Sequence, residues 1–426
     1  MSKMTRKMKD SGIEWIGEIP EEWKVIHNKY LLTKHKELIE KYNDENILSL
    51  TLNGVIIRNL NDGGKMPSSF VGYQKLYKGN LLLCLFDIDV TPRCVGLIKS
   101  DGITSPAYSQ YEVNSKVADV RYYYYYFIML DNKKVLVHMG KSLRSSISND
   151  QFGNIDSILP PKSQQIEIAD YLDKKVFEIN QASQTIQQEI DALEEYRKSI
   201  ITETVTKGLD KTVPMKDSGI EWIGEIPENW KVEKLKYLVE TRESKILLSD
   251  VQYNYIGLEN IEKNIGKYIS TDSTYENQYY NFCEKGDILY SKLRPNLSKA
   301  IIAPFAACCT GEFEVIKSTK LHKKYILYYL LSNYVTDATS AAIYGTKMPR
   351  VSWNYVKNLR VVFPNQSEDQ IKIVNYLDKK LTIIDQIVRQ KQQQLNHLDK
   401  YKQSIIYEYV TGKKQVSEKE GVKNAQ

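Results

Sequence analysis

"MKDSGIEWIGEIPEEWKV" occupies residues 8–25, and "MKDSGIEWIGEIPENWKV" occupies residues 215–232. The two stretches differ only where Glu22 stands opposite Asn229, and they lie 207 positions apart. Repetition on this scale organises the rest of the chain. A second echo pairs "QIEIADYLDKK" (165–175) with "QIKIVNYLDKK" (370–380), 205 apart. A third, at the same offset, pairs "LEEYRKSIITETVT" (193–206) with "LDKYKQSIIYEYVT" (398–411). The order is anchor, block, helix, then anchor, block, helix. Two copies of this length are too few and too long for a solenoid, so a duplicated multi-part unit is expected.

The third part of each copy carries a helical period. Leu172, Val176, Ile179, Ser183, Ile186, Ile190, Leu193, Arg197 and Ile200 alternate steps of four and three. Leu377, Leu381, Ile384, Val388, Lys391, Leu395, Leu398, Lys402 and Ile405 follow the same frame. This is the a/d seam of a coiled coil. Ser163 and Ser367 are the expected N-caps, with Gln370 completing a capping box after Ser367. Gly208 and Gly412 are the expected stops. Roughly 40 residues at ~1.5 Å each make a rod of about 60 Å. The matched frame makes each seam the natural partner of the other, antiparallel about a pseudo-two-fold axis; two helices packed separately on their own domains are the alternative. Arg197 and Lys402 imply a seam that loosens towards its C-terminal ends, with Lys391 facing Ser183 or a solvated edge.

The expected divisions are an anchor at 1–25, a first block at 26–158, a long helix and link at 159–214, a second anchor at 215–232, a second block at 233–362, a second long helix at 363–412, and a disordered tail at 413–426. The blocks share an outline more than a sequence. "YKGNLLLCLFDIDVTPRCVGL" (77–97) and "EKGDILYSKLRPNLSKAIIA" (284–303) each place a short apolar strand after a glycine turn, then a basic loop. "RYYYYYFIML" (121–130) parallels "KKYILYYLLS" (323–332), and both read as packed helices rather than as tyrosines for stacking. A mixed α/β fold in each block follows. Keeping such a fold needs only apolar pattern and volume, so anchors this alike beside blocks this different describe two equivalent docking points with two different readers. Recent duplication contributes to the same pattern.

Within each anchor, Gly12 and Gly17 mark tight turns and Pro20 is expected to open a helix. Trp15 and Trp23, with their counterparts Trp222 and Trp230, are a large apolar load. They either staple the block to the helix rod or face a partner protein.

The chain has 426 residues with a net charge of +6. The first block carries +3 and the second +5, so the remainder sums to −2. A positive excess confined to the blocks suits contact with a polyanion such as nucleic acid. Five cysteines without CxxC spacing argue for a reducing, cytoplasmic setting and against a zinc ribbon. No apolar run is long enough to cross a bilayer, and no secretory signal is evident at the start. Catalytic signatures are missing: no HExxH, no complete phosphate loop around "HMGKS" (138–142), no D/N-P-P-aromatic motif, and no paired histidines. No catalytic residue and no metal ligand is assigned.

The chain resembles the specificity subunits of type I restriction–modification systems over residues 8–412. The resemblance rests on "SGIEWIGEIPEEW", "QQIEIADYLDKK" and "EYRKSIITETVTKG" with their copies, and on "FDIDVTPRCVGL" and "GDILYSKLRP". It implies two target-recognition domains joined by two long antiparallel helices, each domain reading one half of a gapped site in double-stranded DNA. It also implies methyltransferase subunits, two in number, that use S-adenosylmethionine on adenine, and a motor–nuclease subunit that uses ATP and magnesium. The subunit itself would hold no cofactor. Candidate DNA contacts are Arg93, Lys141 and Arg144 in the first block, and Lys292, Arg294, Lys299, Lys347 and Arg350 in the second. Arg93 and Arg294 lie in recurrent motifs and could serve the fold instead. Candidate scaffold residues are the four anchor tryptophans, Trp15, Trp23, Trp222 and Trp230, with Leu172, Ile179, Ile190, Leu193, Leu377, Ile384, Leu395 and Leu398. A DNA-binding scaffold or silent allele without a restriction role, and a self-contained nuclease, are the alternatives.

Overall fold

The repeated anchor folds the same way twice. Met8–Asp10 pairs antiparallel with Glu18–Pro20, and Met215–Asp217 pairs with Glu225–Pro227 in matching register. The connection needs left-handed backbone at Gly12 and Gly17, both at φ +73°, which glycine adopts without a Cβ penalty. The helix expected at Pro20 does not form. Pro20 ends a strand, the Trp23 amide donates to the Pro20 carbonyl at 2.9 Å to close one turn, and the chain continues as the strand Lys24–His27.

The computed structural model describes residues 6–59, 67–139, 145–247, 254–271, 278–345 and 347–416. They form two units, one of residues 1–185 with 394–426 and one of residues 186–393. Among the described residues, no helix is long and apolar enough to cross a membrane.

In the first unit, an antiparallel sheet runs in the order Leu32–His35, Ser109–Val113, Leu81–Leu83, Val95–Leu97. Lys24–His27 pairs with Asp156–Leu159. Helix α1 (Asn28–Leu31) follows the first of these strands, α2 (Val120–Asn132) carries the tyrosine run, and α3 (Val135–Met139) and α4 (Asn149–Gly153) complete the block. Asp119 caps α2 by accepting from the amides of Arg121 and Tyr122 at 2.9 and 3.2 Å, as a short acceptor at this position should. Tyr122, Tyr123, Tyr125 and Tyr126 are buried in the core, so the run packs rather than stacks. The long helix α5 (Lys162–Lys207) starts in this unit.

The second unit rebuilds that frame. Its sheet runs Val239–Thr241, Phe313–Ser318, Ile288–Ser291, Ala300–Ile302, and Trp230–Lys234 pairs with Arg360–Pro364. Helix α6 (Lys323–Leu330) corresponds to α2; α7 (Asn333–Ala341), α8 (Trp353–Val356) and the long α9 (Ser367–Val410) follow. The units part company in what they add. The first adds two separate pairs, Leu48–Thr51 with Gly54–Ile57 and Gln74–Leu76 with Gly102–Thr104. The second adds a four-stranded sheet in the order Lys245–Leu247, Tyr279–Cys283, Ala307–Cys309, Asn254–Ile256, including one parallel pair. It has its own core around Ile256, Leu289, Ile301 and Val315.

The long helices pair antiparallel within each unit. In the first, the Tyr171 and Tyr409 rings lie 4.3 Å apart and Lys402 Nζ sits 3.3 Å from Asn180 Oδ1. In the second, Arg197 pairs with Asp385, and Lys391 Nζ lies 2.6 Å from Glu189 Oε2. Two details of the sequence reading are corrected. Arg197 does not loosen the seam, because its side chain is 3% exposed and held by Asp385. Lys391 meets Glu189, not Ser183, at an exposed edge of the seam. The capping expectation also changes. Ser163 and Ser367 lie within the helical residues, and Gln165 and Gln370 do the bonding instead. Gln165 Nε2 donates to the Pro160 carbonyl at 2.8 Å while its Oε1 accepts the Asp119 amide at 2.8 Å. Gln370 repeats both contacts with Pro364 at 3.2 Å and His322 at 2.8 Å. Of residues 413–416, read as the start of a disordered tail, Lys413, Lys414 and Gln415 are exposed while Val416 is buried in the first core; residues 417–426 lie outside the described residues.

Candidate nucleic-acid interface

The duplicated anchors receive helix ends. Trp23 is fully buried, and its Nε1 donates to Gln164 Oε1 at 2.8 Å. A Cβ at Gly412, just past α9, would come within 2.8 Å of Trp23. Trp230, 5% exposed, stands in the same relation to Gly208, just past α5, at 3.1 Å. Lys413 Nζ donates to the Ile16 carbonyl at 2.8 Å and Lys207 Nζ to the equivalent Ile223 carbonyl at 2.7 Å. Buried tyrosines complete each clasp: Tyr122 donates to the Val410 carbonyl at 2.8 Å, and Tyr325 to the Val205 carbonyl at 2.9 Å. Burial holds both phenols well above the ordinary tyrosine pKa, so both stay hydrogen-bond donors.

The other two anchor tryptophans diverge. Trp15 is partly buried against the first core, whereas Trp222 is 84% exposed. Of the seam residues, Leu172 and Ile179 in the first unit and Ile190, Leu377 and Ile384 in the second are buried, while Leu193, Leu395 and Leu398 are partly covered.

Each shared sheet ends in two loops laced together. The Ile147 amide donates to the Leu85 carbonyl at 2.9 Å, and the Val351 amide to the Lys292 carbonyl at 2.9 Å. Ile88 N donates to the Ser145 carbonyl at 3.4 Å, and Arg294 N to the Pro349 carbonyl at 2.8 Å. Both loops hold a non-glycine residue in the left-handed region, Asp87 at φ 46° and Arg294 at φ 49°.

The candidate cations on these loops have different fates. Arg93 Nη1 lies 3.0 Å from Asp131 Oδ2 and 2.9 Å from Asn132 Oδ1, which ties the loop to the end of α2. Lys292 Nζ pairs with Glu314 Oε2 at 3.0 Å. Lys299 Nζ donates to the Leu258 carbonyl at 2.7 Å, and burial lowers its pKa. Arg350 grips Glu312 with two nitrogens, Nε at 3.0 Å from Oε2 and Nη2 at 2.5 Å from Oε1. That grip holds the Glu312 carboxyl below the usual glutamate range. Arg294 and Lys347 are exposed, and neither side chain has a hydrogen bond or ion pair among the described residues. Lys141 and Arg144 lie outside the described residues. The loop pair of the second unit therefore has an internally braced base and two free cationic tips, beside exposed Tyr344 and Met348. Such a surface can contact phosphates and base edges. No His, Cys, Asp and Glu grouping that could hold a metal ion occurs among the described residues.

Sequence reasoning missed Asp87, the Arg294 counterpart, although the shared 207-residue offset of Gly79 and Gly286 would have aligned them. It also missed Lys267, which reaches from the second block to Asp385 on α9.

Comparison with known proteins finds likenesses to one family over part of the chain. Residues 227–397 match the profile of the type I restriction modification DNA specificity domain. The type I restriction enzyme MjaVIII specificity subunit of Methanocaldococcus jannaschii is 25% identical over 331 residues, 73% of this chain and 74% of that protein. The EcoDI specificity subunit of Escherichia coli is 25% identical over 307 residues, 66% of this chain and 67% of that protein. Among solved structures, a chain from work on complex assembly and conformational transition of the type I R-M system superposes with a TM-score of 0.67 at 13% identity. That match covers 92% of this chain and 99% of the other, and it is a likeness of fold.

Proposed function

We propose that this chain, a relative of the type I restriction–modification specificity subunits, is the DNA sequence-specificity subunit of such a complex, each of its two blocks reading one half of a bipartite, gapped site. The observation that carries this reading is the duplicated frame with unlike additions. The same sheet order, the same paired loops and the same helix clasp occur twice, yet the strands added beside them differ. One frame serving two different readers is what two unlike half-sites require. Phosphate contacts supply affinity and salt dependence, and base-edge contacts supply sequence.

The remaining assignments follow from that role. Residues 26–158 and 233–362 are the target-recognition domains, and the anchors and paired helices are the scaffold. The length of α5 and α9 sets the gap. Arg294 and Lys347 are the preferred DNA contacts of the second block, with Lys141 and Arg144 their candidates in the first. Arg93, Lys292, Lys299 and Arg350 brace the loops. The chain is non-catalytic and cytoplasmic. Two methyltransferase subunits bring S-adenosylmethionine, and a motor–nuclease subunit brings ATP and magnesium.

The test is long-read mapping of modified adenines in cells that express this chain with a methyltransferase partner, against cells lacking the chain. A bipartite gapped motif that disappears without the chain is expected. A motif that persists without it, or no motif although the two proteins bind, would overturn the assignment.

A further inference from the structure

Asp87 and Arg294 stand at one position of the repeated frame. Each follows its glycine turn, Gly79 or Gly286, by the same number of residues, and each comes just after the third strand of its sheet. Their backbones share the left-handed conformation, φ 46° and φ 49°. An L residue adopts it at a cost that glycine would avoid. Aspartate tolerates this region better than most residues and arginine does not. The shared feature is therefore the backbone, and the residue types are free to differ.

Both backbones are pinned. The Asp87 carbonyl accepts the Thr91 amide at 2.9 Å and the Thr91 hydroxyl at 2.7 Å. The Arg294 carbonyl accepts the Leu297 amide at 2.9 Å, and its amide donates to Pro349. Neither side chain makes a hydrogen bond or ion pair among the described residues. A strained, fixed backbone thus carries a side chain that no described residue holds, which leaves it available to a partner outside the chain. The charge inversion narrows the partner. A position built for phosphate would be cationic in both copies, because a carboxylate there is repelled. Base edges accept both kinds of reader: arginine donates to guanine O6 and N7, and aspartate accepts from an exocyclic amino group.

We propose that Asp87 and Arg294 are the equivalent base-reading positions of the two blocks, Arg294 selecting guanine in one half-site and Asp87 selecting a base that presents an amino group, cytosine or adenine, in the other. This rests on the DNA-reading assignment above.

The experiment maps modified motifs for the full chain with its methyltransferase partner, comparing wild type with Arg294→Gly and Asp87→Gly. Glycine removes the side chain and relaxes the backbone, so thermal stability should hold or rise and misfolding cannot mimic the result. Arg294→Gly should lower discrimination at one guanine of one half-site about tenfold or more. The gap and the other half-site should not change. Asp87→Gly should do the same in the opposite half, and Asp87→Asn, whose carbonyl still accepts, should retain more of the preference. Unchanged motifs in both glycine variants would overturn the proposal. So would a uniform loss of modification at all sites without a change of motif, which marks a phosphate contact. A wild-type chain that yields no bipartite motif overturns the DNA-reading assignment itself, and this inference with it.

Discussion

Trp23 occupies the space that a side chain at residue 412 would need. A Cβ there would come within 2.8 Å of the Trp23 ring and 2.6 Å of Pro20. Residue 412 follows the last helix and Trp23 belongs to the first anchor, so the two ends of the sequence meet in one packed joint. Trp230 and Gly208 make the second such joint with residues only 22 positions apart. Each copy is a socket for one helix end.

Gly412→Ala should therefore be far more damaging than Gly12→Ala. Both glycines are left-handed, at φ +72° and +73°, but nothing lies within 4 Å of a Cβ at Gly12. The expected loss is about 3 kcal/mol for Gly412→Ala, strain plus overlap, and about 1 kcal/mol for Gly12→Ala. Hydrogen exchange of the first unit measures both. Equal losses would show that the joint is not tight.

The seam holds polar pairs in both units, and the Arg197–Asp385 and Lys402–Asn180 pairs should not be worth the same. Arg197 and Asp385 are buried, with side chains 3% and 10% exposed, and Lys267 also reaches Asp385. Lys402 and Asn180 are paired at a more open position. Asp385→Ala leaves a buried guanidinium without its partner and should cost about 3–5 kcal/mol. Asn180→Ala should cost less than about 1 kcal/mol. Denaturant unfolding of the two variants decides, and similar midpoints would contradict the burial argument.

The loop brace should weaken in acid. Arg350 depresses the Glu312 pKa in the folded chain. A depressed carboxylate contributes stability that is fully present above its unfolded value, about 4.3, and is lost as pH falls through the folded value. Wild type should thus exceed Glu312→Gln in stability at pH 7, and the difference should shrink below about pH 4.3. Urea unfolding at a series of pH values reads the difference directly. A gap that stays constant into acid would remove Glu312 as its source.

Shortening one helix alone should fail. The Asn180–Lys402 and Arg197–Asp385 pairs are seventeen residues apart on α5 and seventeen apart on α9. Removing 184–190 from α5 keeps its heptad frame but deletes Glu189 and breaks that match, so Lys391 loses its partner and one of the two flanking pairs is lost too. Removing 391–397 as well restores the match. The double deletion should keep both half-sites and narrow the gap in the mapped motif, whereas the single deletion should abolish modification. An unchanged gap in an active double deletion would refute the ruler.

What could be read from the sequence was whatever depends on neighbours along the chain. The heptad steps from Leu172 to Ile200 and from Leu377 to Ile405 announced two paired helices, because a seam is a local period. The glycine turns before Leu81 and Ile288 announced equivalent strands for the same reason. The tyrosine run read as core through its likeness to residues 323–332. The Pro20 helix was misread, since a proline opens helices and ends strands equally well, and only pairing with Met8 chose between them.

The loop cations were beyond such reading. Arg93 is bound by Asp131 and Arg350 by Glu312, and both ion pairs join residues 38 positions apart. Charge and motif are the same for a braced arginine and a free one. By itself the sequence determined the duplication, the helix seam and the two unlike blocks, because apolar period and turn chemistry act over a few residues. Only the tertiary structure decided which helix end fills which anchor, which cations are consumed by the fold, and that Asp87 and Arg294 share one strained position. Those outcomes depend on which groups distant in the chain meet, and on what is left unpaired once they have met.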